Sequence, residues 1–109
     1  MAVDERLADL VRQSLARRRD ITEKRMFGGL AFLLHGNMCC CVVGQDLMVR
    51  VGPDAYEEAL TRPHARIMDF TRKPLKGYVY VGPEGTATAE SLREWLARAT
   101  AFVGTLPPK

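Results

Sequence analysis

The stretch that most limits the fold is residues 26–51, where three short strand-like segments are separated by two tight turns. Residues 29–35 put Leu30, Phe32 and Leu34 on one side and Ala31, Leu33 and His35 on the other, because successive strand side chains point to opposite faces. Gly36-Asn37 then supplies residues that tolerate a positive φ, as a tight hairpin turn requires. Residues 38–44 read as a second strand and Gly44-Gln45-Asp46 as a second turn. Residues 47–51 form a third strand, with Leu47, Val49 and Val51 inward and Met48 and Arg50 on the opposite face. A half-solvated antiparallel sheet alternates apolar and polar residues. Only the third strand does so. The first two are apolar on both faces, so they are expected to be central and covered on both sides, a second copy of the chain being one candidate cover.

Around this unit the chain predicts helices. Leu7, Leu10, Val11 and Leu15 recur at the three-and-four spacing of an amphipathic helix over residues 4–19, opened by Asp4 and Glu5 and closed by Arg17, Arg18 and Arg19, the polarity that the helix dipole favours. Gly52-Pro53-Asp54 begins a short helix that runs to about Leu60 and stops before Pro63. Residues 66–70 and 77–82 are two further strands, joined through the basic turn Thr71-Arg72-Lys73-Pro74. A last helix starts near Thr88 or Ser91, with Glu94 placed for a capping box after Ser91. It carries the stripe Leu92, Trp95, Leu96, Ala99 and Val103, and Gly104 caps its end. There is no internal repeat or linker, so residues 1–109 are expected to form one domain. The order helix, three strands, helix, two strands, helix, with turns that impose antiparallel neighbours, gives an α+β class with helices packed on an antiparallel sheet.

With 109 residues and a formal charge of +3, the chain is long enough for one core and only mildly basic. No run of about 18 apolar residues spans a membrane. The amino terminus, Met-Ala-Val-Asp-Glu-Arg-Leu, has no apolar export region, so a cytoplasmic, reducing setting is expected. The excess charge concentrates in residues 62–76, where Arg62, Arg66, Arg72, Lys73 and Lys76 face a single acid, Asp69.

The residue types that carry chemistry do not assemble into a reaction. On a regular strand Cys39 and Cys41 point the same way, with Cα atoms about 6.6 Å apart, and Cys40 points to the other face. A soft metal could use Cys39 and Cys41 with His35 or His64, but zinc sites show a second ligand pair at defined spacing, and none is present. The cysteines read better as small buried hydrophobes. For His35 beside a turn and His64 after Pro63 no orienting partner with a nucleophile is readable, so both are expected to be surface or turn histidines. Gly28-Gly29 leads straight into a strand and is not followed by the Lys and Ser or Thr of a phosphate loop; a bend or bulge explains it. Glu57 and Glu58 are adjacent on a helix and diverge. Tyr78 and Tyr80 share one strand face near the basic turn, a weak signal for stacking on bases.

Met26-Phe27-Gly28-Gly29, Phe32, Gly36-Asn37-Met38, Asp46-Leu47 and Val49-Arg50-Val51 resemble the amino-terminal domain of the TfoX/Sxy competence regulators. Tyr78-Val79-Tyr80-Val81, the helix with Trp95 and the Leu-Pro-Pro-Lys ending are similar to stand-alone members, so the resemblance runs from residue 5 to residue 109. It implies a secretion-chaperone-like fold, helix, three strands, helix, two strands, helix, in two layers. Ala31 stands where the family often has glycine and Cys39 where it often has an aromatic residue. The full-length regulators carry a second, carboxy-terminal domain beyond the point where this chain ends, so competence regulation transfers poorly. The resemblance transfers no catalytic residue, and no cofactor or metal is expected. Three readings follow. The first is a non-enzymatic, bacterial protein-interaction module linked to transcription, a homodimer or bound to another protein through Met48, Arg50, Tyr78 and Tyr80. The second is nucleic-acid binding through Arg62, Arg66, Arg72, Lys73 and Lys76. The third is a metal or thiol site at Cys39 and Cys41.

Overall fold

A computed structural model describes residues 3–16, 18–26, 28–67 and 76–108. Its elements are α1 (Glu5–Ser14), β1 (Ile21–Met26), β2 (Gly29–Leu34), β3 (Asn37–Val43), β4 (Asp46–Arg50), α2 (Tyr56–Leu60), β5 (Ala65–Ile67), β6 (Tyr78–Val81), a 3-10 turn (Pro83–Thr86) and α3 (Ala89–Val103). The strands form one antiparallel sheet in the order β1-β2-β3-β4-β6-β5, with the two-sided apolar pair β2 and β3 inside it. The α+β class and the antiparallel sheet are as expected from the turns. Arg17, Phe27, the 68–70 end of the fourth expected strand, the basic turn with Arg72 and Lys73, and Lys109 lie outside the described residues.

The sheet has one strand more than the periodicity predicts. β1, Ile-Thr-Glu-Lys-Arg-Met, has four exposed residues between two half-buried ends, so no apolar alternation marks it. An edge strand with charged side chains needs only its backbone partner, here β2 from Ile21↔Leu34 to Met26↔Gly29. The opening helix is shorter than expected. Asp4 caps it by accepting from the Leu7 N–H at 3.1 Å, and Leu15, buried in the core, leaves helical geometry as its C-cap. Arg18 and Arg19 therefore follow the helix and do not close its last turn. α2 begins at Tyr56, after a turn at residues 53–55, and α3 is capped by Thr88 Oγ1, which accepts from the Ser91 N–H at 3.1 Å.

All three helices cover the same sheet face. Leu7, Ala8 and Val11 of α1, Tyr56 and Ala59 of α2, and Leu92, Trp95, Leu96, Ala99 and Val103 of α3 pack on Leu30, Phe32, Leu34, Val42, Leu47, Val49, Val79 and Val81. Each large apolar side chain buried here contributes roughly 1.5–3 kcal/mol. The Phe102 ring closes over Gly52, whose φ of 87° and missing side chain make the approach possible; a Cβ there would lie 2.3 Å from the ring.

The tight turns resolve differently from the expectation at one position. The β2–β3 turn is centred on His35 (φ 53°) and Gly36 (φ 82°), and Asn37 already pairs with Leu34. Histidine is among the side chains that enter the left-handed region more readily, and Asp20 Oδ2 holds His35 Nε2 at 2.7 Å. That leaves the buried Asn37 amide free to donate to the Pro107 carbonyl at 2.9 Å, tying the end of the chain to the hairpin.

The two neighbouring glycines do separate work. Gly28 lies between β1 and β2 at φ 72° with open space around it. At Gly29 a Cβ would sit 2.2 Å from the Val42 carbonyl oxygen. Gly28→Ala is expected to cost about 1 kcal/mol, the left-handed penalty alone, whereas Gly29→Ala is expected to cost about 3 kcal/mol or more, because backbone must move. Urea denaturation of the two variants checks the order; equal losses would show that β2 and β3 separate easily.

Candidate interaction face of the sheet

The sheet face away from the helices carries its own apolar cluster. Ala31, Cys41, Val43 and Met48 are buried there, and Met26, Leu33, Met38, Tyr78 and Tyr80 pack on them while remaining partly exposed. The sequence pattern accounts for this: the alternate residues of β2 and β3 that do not face the helices are Ala31, Leu33, Cys41 and Val43, all apolar. Register brings the rest together. Met48 is opposite Cys41 and Tyr80, and Arg50 is opposite Tyr78.

A β-bulge in β3 decides which cysteine belongs to this face. Phe32 pairs with Cys40 and Leu33 with Met38, so Cys39 is an extra residue with no partner in β2. The extra residue reverses the alternation. Cys39 and Cys40 both lie in the helix-side core, and Cys41 faces the other way. The regular-strand expectation that Cys39 and Cys41 share a face is therefore corrected, and the ligand pair on which the metal reading relied is split between the two sides of the sheet. All three thiols are free and 0% exposed. Among the described residues no group of three or more His, Cys, Asp or Glu is arranged to hold a metal ion. A hydrogen bond between the Cys39 and Cys40 thiols lowers the Cys39 pKa and raises that of Cys40, and burial pushes Cys40 further up. Burial alone raises Cys41 to about 11.

The four residues expected at an interface fall on this face but are not equivalent. Met48 is 1% exposed and supports the cluster from beneath. Tyr78, Tyr80 and Arg50 are partly exposed. The Arg50 guanidinium carbon lies 5.4 Å from the centre of the Tyr78 ring and 5.7 Å from that of Phe102, and one of its N–H groups donates to the Met38 carbonyl at 3.4 Å. Sequence reasoning put Leu33 on this side of its strand without counting it at the interface, and missed Met26, Met38 and Lys24. The position of Lys24 opposite Ala31 becomes visible only once β1 is known to be a strand.

The basic segment does not form one surface among its described members. Arg62 is bound to Glu94 at 2.5 Å on the helix side. Arg66 stands over the Tyr80 ring, 5.2 Å from its centre, with Asp46 Oδ2 at 2.6 Å. Lys76 is exposed in the turn before β6. His64 takes a positive φ of 68° and lies 3.7 Å from Glu84, and His35 lies 2.7 Å from Asp20. Glu57 is exposed, while Glu58 is held by Arg98 at 2.6 Å, which keeps its carboxyl below the usual range.

The raised Cys41 pKa has a pH consequence. An unfolded thiol ionises near 9.0 and the folded one near about 11, so the unfolded state loses its proton first as pH rises. The contribution of Cys41 to stability is thus complete below pH 9.0 and is lost as pH climbs toward about 11. Denaturation between these limits is expected to show a smaller loss in Cys41→Ala than in the unsubstituted protein; equal losses would remove Cys41 as the cause.

No helix among the described residues is long and apolar enough to cross a membrane. Searches of curated proteins and of solved structures found no match. The family model of the TfoX N-terminal domain matches residues 4–103, which takes in α1 through the last residue of α3 and both faces of the sheet. The chain belongs to the TfoX N-terminal domain family.

Proposed function

We propose that this domain is a non-enzymatic regulatory module that binds a protein partner through the sheet face opposite its helices. The observation that carries this reading is the combination on that face of Met26, Leu33, Met38, Tyr78 and Tyr80, all partly exposed, over a buried floor of Ala31, Cys41 and Met48. Thioether and tyrosine side chains suit such a role. Methionine adapts its shape to a partner, and tyrosine joins a large apolar body to a polar tip. Membership of a family associated with competence regulation fits a regulatory role. Three reduced cysteines in the core fit a cytoplasmic setting.

The test is capture of partners from extract of the protein's own host, with and without nuclease, using the unsubstituted domain and Leu33→Glu/Met38→Glu. These two residues pair directly across β2 and β3 on the proposed face. A nuclease-resistant partner retained by the unsubstituted domain and lost by the double variant is expected, with circular dichroism confirming that the variant folds. Retention by both proteins would place the interface elsewhere. Retention abolished by nuclease would transfer the role to nucleic acid and to the basic residues 62–76. Light scattering on the same pair of proteins decides whether the partner is a second copy, since a dimer through this face dissociates in the variant.

A further inference from the structure

The two faces of the molecule carry different mixtures of charge. On the helix side, Arg12 is held by Glu23 at 2.6 Å, Arg62 by Glu94 at 2.5 Å and Arg98 by Glu58 at 2.6 Å. The helices also carry Arg6 and Arg93 outside these pairs, together with the exposed acids Glu5, Glu57 and Glu90. On the opposite face Asp46 is the acid among the described residues, and Arg66 already occupies it at 2.6 Å. Lys24, across from Ala31, and Arg50, across from Tyr78, lie at the two sides of the apolar cluster, and Lys76 stands two residues before Tyr78. Among the described residues none of these three cations is paired with a carboxylate.

From these cations beside an apolar face we infer that the partner of this face is an acidic amphipathic helix, laid with its apolar stripe on Met26, Leu33, Met38 and Tyr78 and its carboxylates toward Lys24, Arg50 and Lys76. The inference rests on the reading of this face as an interface and adds the chemistry of what binds. A second copy is disfavoured because a two-fold axis brings like-charged rims together. Nucleic acid is disfavoured because three dispersed cations around a thioether centre cannot follow a phosphate backbone. The dimensions agree with a helix. Six strands spaced about 4.8 Å apart make a face roughly 24 Å wide, which about 16 helical residues span at about 1.5 Å each. A helix there gives the sheet a layer on each side.

The test uses the full chain labelled with 13C at its methionine methyl groups. The first probe is a synthetic helical peptide of about 16 residues with Leu and Phe along one stripe and Glu beside it. Its control replaces every Glu with Lys, and a DNA duplex is the third probe. The acidic peptide is expected to move the Met26 and Met38 signals. Its affinity is expected to fall about tenfold in Lys24→Glu/Arg50→Glu and again with added salt. Because Arg50 packs against two rings, Lys24→Glu/Lys76→Glu serves as a second variant and is expected to weaken binding in the same direction. Equal binding of the Lys peptide, unmoved methionine signals, affinity untouched by both variants, or stronger perturbation by the duplex would each overturn the inference. Loss of host partners in Leu33→Glu/Met38→Glu combined with no response to the acidic peptide would refute the helix alone and leave the interface standing. Host capture unchanged in that variant would refute the interface itself.

Discussion

Backbone pairing of two strands that are apolar on both sides is the constraint from which the rest of the molecule follows. Once β2 and β3 are joined, neither face can be left fully to water, because burial of apolar area is the main favourable term in folding. Three helices satisfy one face. The other gathers its own cluster from Ala31, Leu33, Cys41, Val43 and Met48, extended by Met26, Met38 and the two tyrosines. Pairing also requires close backbone approach, which explains why Gly29 has no room for a side chain against Val42.

The bulge at Cys39 is the point where this hairpin departs from regularity, and it distributes the chemistry. It sends two cysteines to the helix-side core and one to the opposite face. Burial governs the acidity of Cys41, whereas a shared hydrogen bond between the thiols is the largest influence on Cys39 and Cys40. The same hairpin receives the end of the chain, since Asn37 beside the turn donates to Pro107, 70 residues away. The hairpin is thus tied to the segment that follows α3, which packs on it from the helix side.

Charge divides the molecule in a second way. Salt bridges between exposed side chains contribute little each, so the pairs on the helix side matter less for stability than for what they leave over. They consume Glu23, Glu58 and Glu94, whereas among the described residues Lys24, Arg50 and Lys76 have no carboxylate of their own.

Periodicity was enough to determine the α+β class, the β2 to β4 meander, the helix stripes and the positions of most turns. Each rests on contacts within a few residues or on a strict repeat of two or 3.6. Strand β1 escaped it because an exposed edge strand has no apolar face to betray it. The bulge escaped it because an extra residue in β3 is defined only against β2, and three successive cysteines look alike at every register. The Gly36-Asn37 turn shifted by one residue because Asp20, in a separate segment, holds His35 in the left-handed region. The candidate face followed the same division. Met48, Arg50, Tyr78 and Tyr80 were legible from strand alternation. Alternation also placed Leu33 beside Ala31, whereas Lys24, Met26 and Met38 joined them only through pairing. Tertiary structure alone decided which cations are neutralised, because Arg62 meets Glu94 across 32 residues and Arg98 meets Glu58 across 40. Local patterns record which side of an element is apolar; only packing decides what faces it.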